Sequence, residues 1–164
     1  MNPQEEIKRI LQEAEEQNNT MRCFNKDMII YYGRLETVAK QYRKRLPVKD
    51  ATFQEDFRES MLKLRKFADR VQDFWQRTRR FYNAVDKDNF VRENRLDIKQ
   101  IRTAAISFSR QSGNLYLNYK NLNALGKDLP LRLNWWLFES SCSDMSKISN
   151  NILFISRDME KSYE

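Results

Sequence analysis

The stretch FRESMLKLRKFADRVQDFWQRTRRFYNAV, residues 57–85, decides the fold. Within it Phe57, Leu64, Val71 and Val85 recur at multiples of seven, and Phe67, Phe74 and Phe81 fill the half-repeats. Apolar residues alternating at spacings of three and four share one stripe of a helix, because an α-helix turns once every ~3.6 residues. Lys63, Lys66, Arg70, Arg77 and Arg80 run beside that stripe, with Arg65 and Arg79 expected further out. The stretch reads as an aromatic-cored helix with a basic flank.

The same period continues on both sides. Upstream, Ile7, Ala14, Met21, Met28, Leu35 and Tyr42 hold one heptad position, and Ile10, Phe24, Tyr31 and Val38 hold the complementary one. Asn2-Pro3 suits a helix start, since proline at the first helical position gives up an amide that has no partner there. Gln17 and Asn18 interrupt the stripe and Gly33 weakens it by ~1 kcal/mol. The unbroken register nevertheless predicts one helix over residues 3–46, closed by Pro47. Asp50 or Thr52 is placed to cap a second helix over 52–85, with Glu55 completing a capping box on Thr52. Val91, Ile98, Ala105 and Tyr119, with Ile101, Phe108, Leu115 and Leu122, mark a third helix over 90–125. Ser112 and Gly113 soften its middle, and Gly126 is placed as its C-terminal cap. Trp135, Phe138, Cys142, Met145, Ile148 and Ile152 lie on one face of a fourth helix over 130–162.

Three glycines and three prolines are too few for the turns of a sheet-rich domain. The expected fold is all-α, one domain over residues 1–164. It is an elongated antiparallel up-down-up-down four-helix bundle with coiled-coil-like heptads.

Function is constrained first by missing chemistry. There is no histidine, which removes the usual general base, the Ser–His and Cys–His pairs and the ligands of di-iron bundles. Three scattered glycines make no phosphate loop. Cys23 and Cys142 form neither a disulfide framework nor a CxxC pair. Two free thiols are expected, with Cys142 on the apolar face and Cys23 off the seam. The carboxylates Asp86/Asp88 and Glu13/Glu15/Glu16 fall at a turn and on a solvated face. No enzyme activity, metal, cofactor or small-molecule substrate is expected. The acidic start Met1-Asn2-Pro3-Gln4-Glu5-Glu6 has no apolar signal core, and no run approaches the ~18–20 apolar residues of a membrane span. A cytoplasmic location follows as an expectation, peripheral to a membrane under one reading below.

Charge points to partners. The chain carries a net +7, and residues 28–110 hold twenty basic and eleven acidic side chains. Residues 1–27 hold four basic and six acidic ones. Lys63, Arg70 and Arg77 lie seven apart, opposite Glu6, Glu13 and Asp27, and this pattern is expected to set helix pairing, with Asp27 near Arg70. Arg77, Arg79, Arg80, Lys87, Arg92, Arg95 and Lys99 should gather at the turn between the second and third helices, offset in part by Asp86, Asp88, Glu93 and Asp97. That end is the candidate site for an anionic partner. Trp135 fits the core face, and Trp136 beside it is the candidate protein contact. Leu11, Tyr32, Leu62 and Tyr116 also fall outside the narrow stripes.

Three readings follow. The first is an interaction or assembly protein that binds another protein or its own copies. The second is a helical nucleic-acid-binding subunit of a larger complex. The third is a bundle that binds anionic phospholipid and perturbs membranes. The segment Arg79-Arg80-Phe81-Tyr82-Asn83-Ala84-Val85-Asp86-Lys87-Asp88-Asn89-Phe90, set between two amphipathic helices, resembles the N-terminal four-helix domain of the mixed-lineage kinase domain-like cell-death proteins. That resemblance implies the third reading.

Overall fold

The computed structural model describes residues 2–161, without the side chains of 152–156 and 158–161. These residues form five helices and, among them, no strand. The helices are α1 (Pro3–Arg43), α2 (Phe53–Ala84), α3 (Lys87–Glu93), α4 (Arg95–Gly126) and α5 (Trp135–Lys161). The 41 residues of α1 extend roughly 60 Å at 1.5 Å per residue.

Local chemistry fixes the helix ends, and it moves several of them from their expected places. Asn2 caps α1 by accepting from the Gln4 amide, ahead of Pro3. The helix stops at Arg43 and not at residue 46. Leu46 N–H bonds the Gln41 carbonyl and Arg45 N–H the Tyr42 carbonyl, with Arg45 in the left-handed region at φ 56°. This is the reversal that usually employs glycine, here made by arginine.

The capping box on Thr52 does not form. The Thr52 hydroxyl bonds Asp56, and Glu55 plays no part in the cap. The expected third helix is divided at Asn94, whose side chain bonds back to the Phe90 carbonyl and competes with the helical backbone. Gly126 ends α4 without a left-handed turn, since Lys127 that follows has φ −59°. The fourth long helix starts at Trp135. Leu129 to Leu133 precede it as an irregular segment, and Asn134 adopts φ 52° as its carbonyl accepts from Leu137 and Phe138.

α1 packs along α4 and, more loosely, along α2, while α5 packs along α4 and α2. The direction of each pair follows from its contacts. Asn18 donates to the Ala104 carbonyl at 3.0 Å and Asn25 to the Gln111 carbonyl at 3.1 Å, both 86 residues apart, so α1 and α4 run the same way. Trp75 meets Gln17, Phe67 meets Phe24 and Phe57 meets Tyr31, so α1 and α2 run oppositely. The first long helix therefore has the third beside it, and the fourth stands beyond. Cys23 and Cys142 consequently do not face each other across a shared seam.

Packing differs between the two sides of α1. Toward α4 the core includes the small residue Ala104, whose carbonyl accepts from Asn18. Toward α2 it is built from rings, with Phe24–Phe67 centroids at 5.6 Å and Tyr31–Phe57 at 5.4 Å. Rings hold α2 away, and the small Ala104 lets α4 approach. Gln17 and Asn18 are buried inside one unbroken α1 and do not interrupt it, because Trp75 Nε1 and the Ala104 carbonyl take up one polar atom of each. Phe57, Leu64, Val71, Phe67 and Phe74 are buried as the spacing requires, while Phe81 and Val85 pack only partly.

The glycines separate by surroundings. A Cβ on Gly33 would meet no atom within 4 Å, whereas one on Gly126 would sit 3.0 Å from Leu35 Cδ2 and 3.0 Å from Trp135 Cζ2. Gly33→Ala is expected to raise stability by about 0.5–1 kcal/mol, because alanine is the better helix residue. Gly126→Ala is expected to lower it, since Leu35 is fully buried and has no room to give. Urea denaturation of both variants beside the parent chain checks the opposite signs.

Candidate interaction surfaces

Arg34 closes the turn between α1 and α2. It donates Nε and Nη2 to the two Asp50 oxygens at 2.8 and 2.9 Å and Nη2 to Asp56 at 2.9 Å. Its guanidinium also lies over the rings of Tyr31 at 5.7 Å and Phe53 at 5.5 Å. The hydrogen bond from Arg34 holds the Asp50 carboxyl below its ordinary range. Beside this cluster, Asp27, Glu59 and Lys63 line a shallow cleft in the α1–α2 seam. Its cation is already engaged by two carboxylates, so the cluster is a clasp between helices.

Arg65 does a similar task between α2 and α5. It was expected to point outward, yet it is largely covered and donates to Asp69 at 2.7 Å and to Asp144 at 2.8 Å. Packing α5 against α2 brought Asp144 to it, which no spacing within α2 reveals. Arg70 also departs from expectation. It meets Glu13 at 3.6 Å and Glu16 at 3.8 Å, while Asp27 lies in the cleft with Lys63. The pairing of α1 with α2 is shifted along the helix from the one the charge row suggested.

The candidate basic residues do lie toward one end, where Phe90 of α3 meets Phe81 at 5.5 Å and Tyr82 at 6.5 Å. They are not alike. Arg77 pairs with Asp73 at 3.1 Å, and Lys87 Nζ stands 5.3 Å from the Tyr82 ring centroid. Arg79, Arg80, Arg92, Arg95 and Lys99 have exposed side chains. α2 and α4 do not pack along one another, so their cations face different sides of that end. The shared direction of α1 and α4 also brings the acidic start of α1 there, with Glu5, Glu6, Glu13, Glu15 and Glu16. Glu6 is taken by Arg9. The end is a mixed field.

Large apolar side chains remain uncovered on the long helices. Trp136 is 74% exposed, as its position beside Trp135 suggested. Tyr32, Leu62 and Tyr116 are exposed too, and Lys120 Nζ lies 4.8 Å from the Tyr116 ring centroid. Leu11, by contrast, packs partly against the core. Four further residues that the heptad reading passed over are Ile29, Ile30, Leu96 and Leu117. Their signal was an apolar residue falling between the stripes.

No described helix is long and apolar enough to cross a membrane. Among the described residues no group of three or more carboxylates and thiols is placed to hold a metal ion. Compared with models of protein families, with curated proteins and with solved structures, the chain matches none.

Both cysteines are free thiols, Cys23 exposed and Cys142 buried. Burial pushes the Cys142 thiol up to about 12, which keeps it protonated and unreactive near neutral pH. A soluble disulfide reagent at mildly alkaline pH is expected to label Cys23 quickly and Cys142 only after denaturant is added. Equal labelling rates of the folded chain would show that the α5 seam is open at Cys142.

Proposed function

We propose that the chain is a non-enzymatic interaction module. In it the four long helices form an elongated up-down-up-down bundle of heptad-patterned helices that presents its outer faces to another protein. The observation that carries this reading is the set of large apolar side chains left exposed on continuous helices, Trp136 foremost. Exposed tryptophan on a rigid element is the kind of anchor that dominates protein interfaces. The clasps at Arg34 and Arg65 suit such a role, because they tie helices together and hold the outer faces in fixed relation. The working compartment in this proposal is a reducing, cytoplasmic one.

A second reading, an anionic lipid or nucleic acid bound at the α2–α3–α4 end, is favoured by the excess of nine cations in residues 28–110. The acidic start of α1 at that same end weighs against it, because those carboxylates repel the same ligand.

Replacing Arg79, Arg80 and Arg92 together with glutamate separates the two. These side chains are exposed and lie off the buried stripes, so helicity and thermal midpoint are expected to hold. An interaction module keeps its solution mass and its partner after the change. A phosphate-binding end loses affinity for acidic vesicles or RNA in a low-salt titration, and what remains depends less steeply on salt. A strictly monomeric mass together with loss of vesicle or RNA binding in the variant would overturn the first reading in favour of the second.

A further inference from the structure

Asn25 donates to the Gln111 carbonyl and accepts from Asn118 at 3.0 Å, so these residues mark the α1–α4 seam. Helical spacing then puts Arg22, Lys26, Ile29 and Gly33 of α1 on the outer side of that seam, with Arg110 and Leu117 of α4 across it. Ile29 is 66% exposed and Leu117 58%, and Ile30, about 100° farther round α1, is 60% exposed. Scattered exposed aliphatic residues are ordinary on a protein surface, but Ile29 and Leu117 stand at one height on neighbouring helices, with Ile30 at the margin.

The charge around the patch is mainly positive, with Asp27 lining the α1–α2 cleft and Glu36 one turn beyond Gly33. From residue 98 to residue 127 the chain has no acidic residue, while Lys99, Arg102, Arg110, Lys120 and Lys127 are basic. Among the described residues, Arg22, Lys26 and Arg110 form no ion pair. Glu36, farther along α1, is met by Lys40 at 3.9 Å. Gly33 adds a third feature. A helix-interior glycine costs about 1 kcal/mol against alanine, and among the described residues nothing beyond its own stretch of helix lies within 4 Å of where its Cβ would be. Bare helix backbone at an exposed site admits a second helix at close range.

We infer that this face docks an acidic amphipathic helix of a partner protein. Its apolar stripe covers Ile29 and Leu117 with Ile30 at its edge, its flanking carboxylates meet Arg22, Lys26 and Arg110, and its backbone comes close at Gly33. The inference rests on the interaction-module reading and specifies the surface it uses. A lipid surface would engage the cations and aliphatic side chains but gains nothing from bare backbone at Gly33. A nucleic acid would leave three aliphatic side chains against a polyanion. A second copy would have to bring an acidic apolar stripe. Its exposed Leu62 has Glu59 a turn before it, but also Arg58 and Lys66 a turn to either side.

The test titrates the full chain into a labelled synthetic helix with leucines at spacings of three and four flanked by glutamates. The same peptide with lysines in place of the glutamates runs beside it, both read by fluorescence anisotropy. The glutamate peptide is expected to bind at least about tenfold more tightly than the lysine peptide. I29D with L117D, R22E with R110E, and G33L are each expected to weaken it about tenfold, with helicity by circular dichroism unchanged. No binding, or equal affinity for the two peptides, overturns the inference. Glutamate-peptide binding that survives all three variants overturns this face and leaves the interaction reading standing. Two further outcomes also overturn it. One is loss of binding to phosphatidylcholine–phosphatidylserine vesicles in these variants where the peptides never bound. The other is a halved solution mass in I29D/L117D, which would make the face a contact between copies.

Discussion

Two asparagines seven residues apart set the frame of this molecule. Asn18 and Asn25 reach from α1 to the carbonyls of Ala104 and Gln111 on α4, themselves seven apart. A side-chain amide buried without a partner loses its hydrogen bonds to water at a cost of about 1–3 kcal/mol, so sliding α4 by one turn is disfavoured twice over. Asn118 extends the ladder by donating to Asn25. Such contacts are made only when the helices are close, which the small Ala104 at the seam permits. Shared direction, axial register and short separation thus come from one set of contacts.

The other half of the structure answers with different materials. Where α2 faces α1, rings fill a wider gap, and the pairs Phe24–Phe67 and Tyr31–Phe57 act as spacers as well as core. A wide seam exposes its edges to water, and here charged side chains finish it. Arg34 is held by Asp50 and Asp56, Arg70 spans Glu13 and Glu16, and the cleft with Asp27 and Lys63 lies between. On the far side of α2, Arg65 ties in α5 through Asp144. These cations are part of the architecture, and they leave the pool from which a ligand site could be drawn.

Electrostatics follow from that division. The acidic start of α1 lies beside the basic end of α2, so the two partly neutralise each other. α4 itself carries no acidic residue from 98 to 126. Arg22, Lys26 and Arg110, which form no ion pair among the described residues, therefore keep positive charge along the α1–α4 seam. Ion pairing between neighbouring helices, and not local charge density, determines where a polyelectrolyte field remains.

Periodicity alone determined that the chain is helical, roughly where its long helices lie, and which rings and aliphatic side chains are buried. Phe57, Leu64, Val71, Ile98, Ile101 and Phe138 sit as their spacing requires, because burial of an apolar stripe depends on the helix and not on which neighbour covers it. The exposure of Trp136 and the burial of Cys142 were legible for the same reason. Helix ends were less so. The left-handed Arg45 and the division at Asn94 depend on local competition between side chain and backbone, which heptads do not record. Gln17 and Asn18 read as interruptions because their partners, Trp75 and Ala104, are 58 and 86 residues away. Only the tertiary structure decided that α4 lies beside α1 and that Arg65 is a clasp. A single helix fixes the angle at which a side chain leaves its own axis, and the identity of whatever stands opposite is a property of the packing.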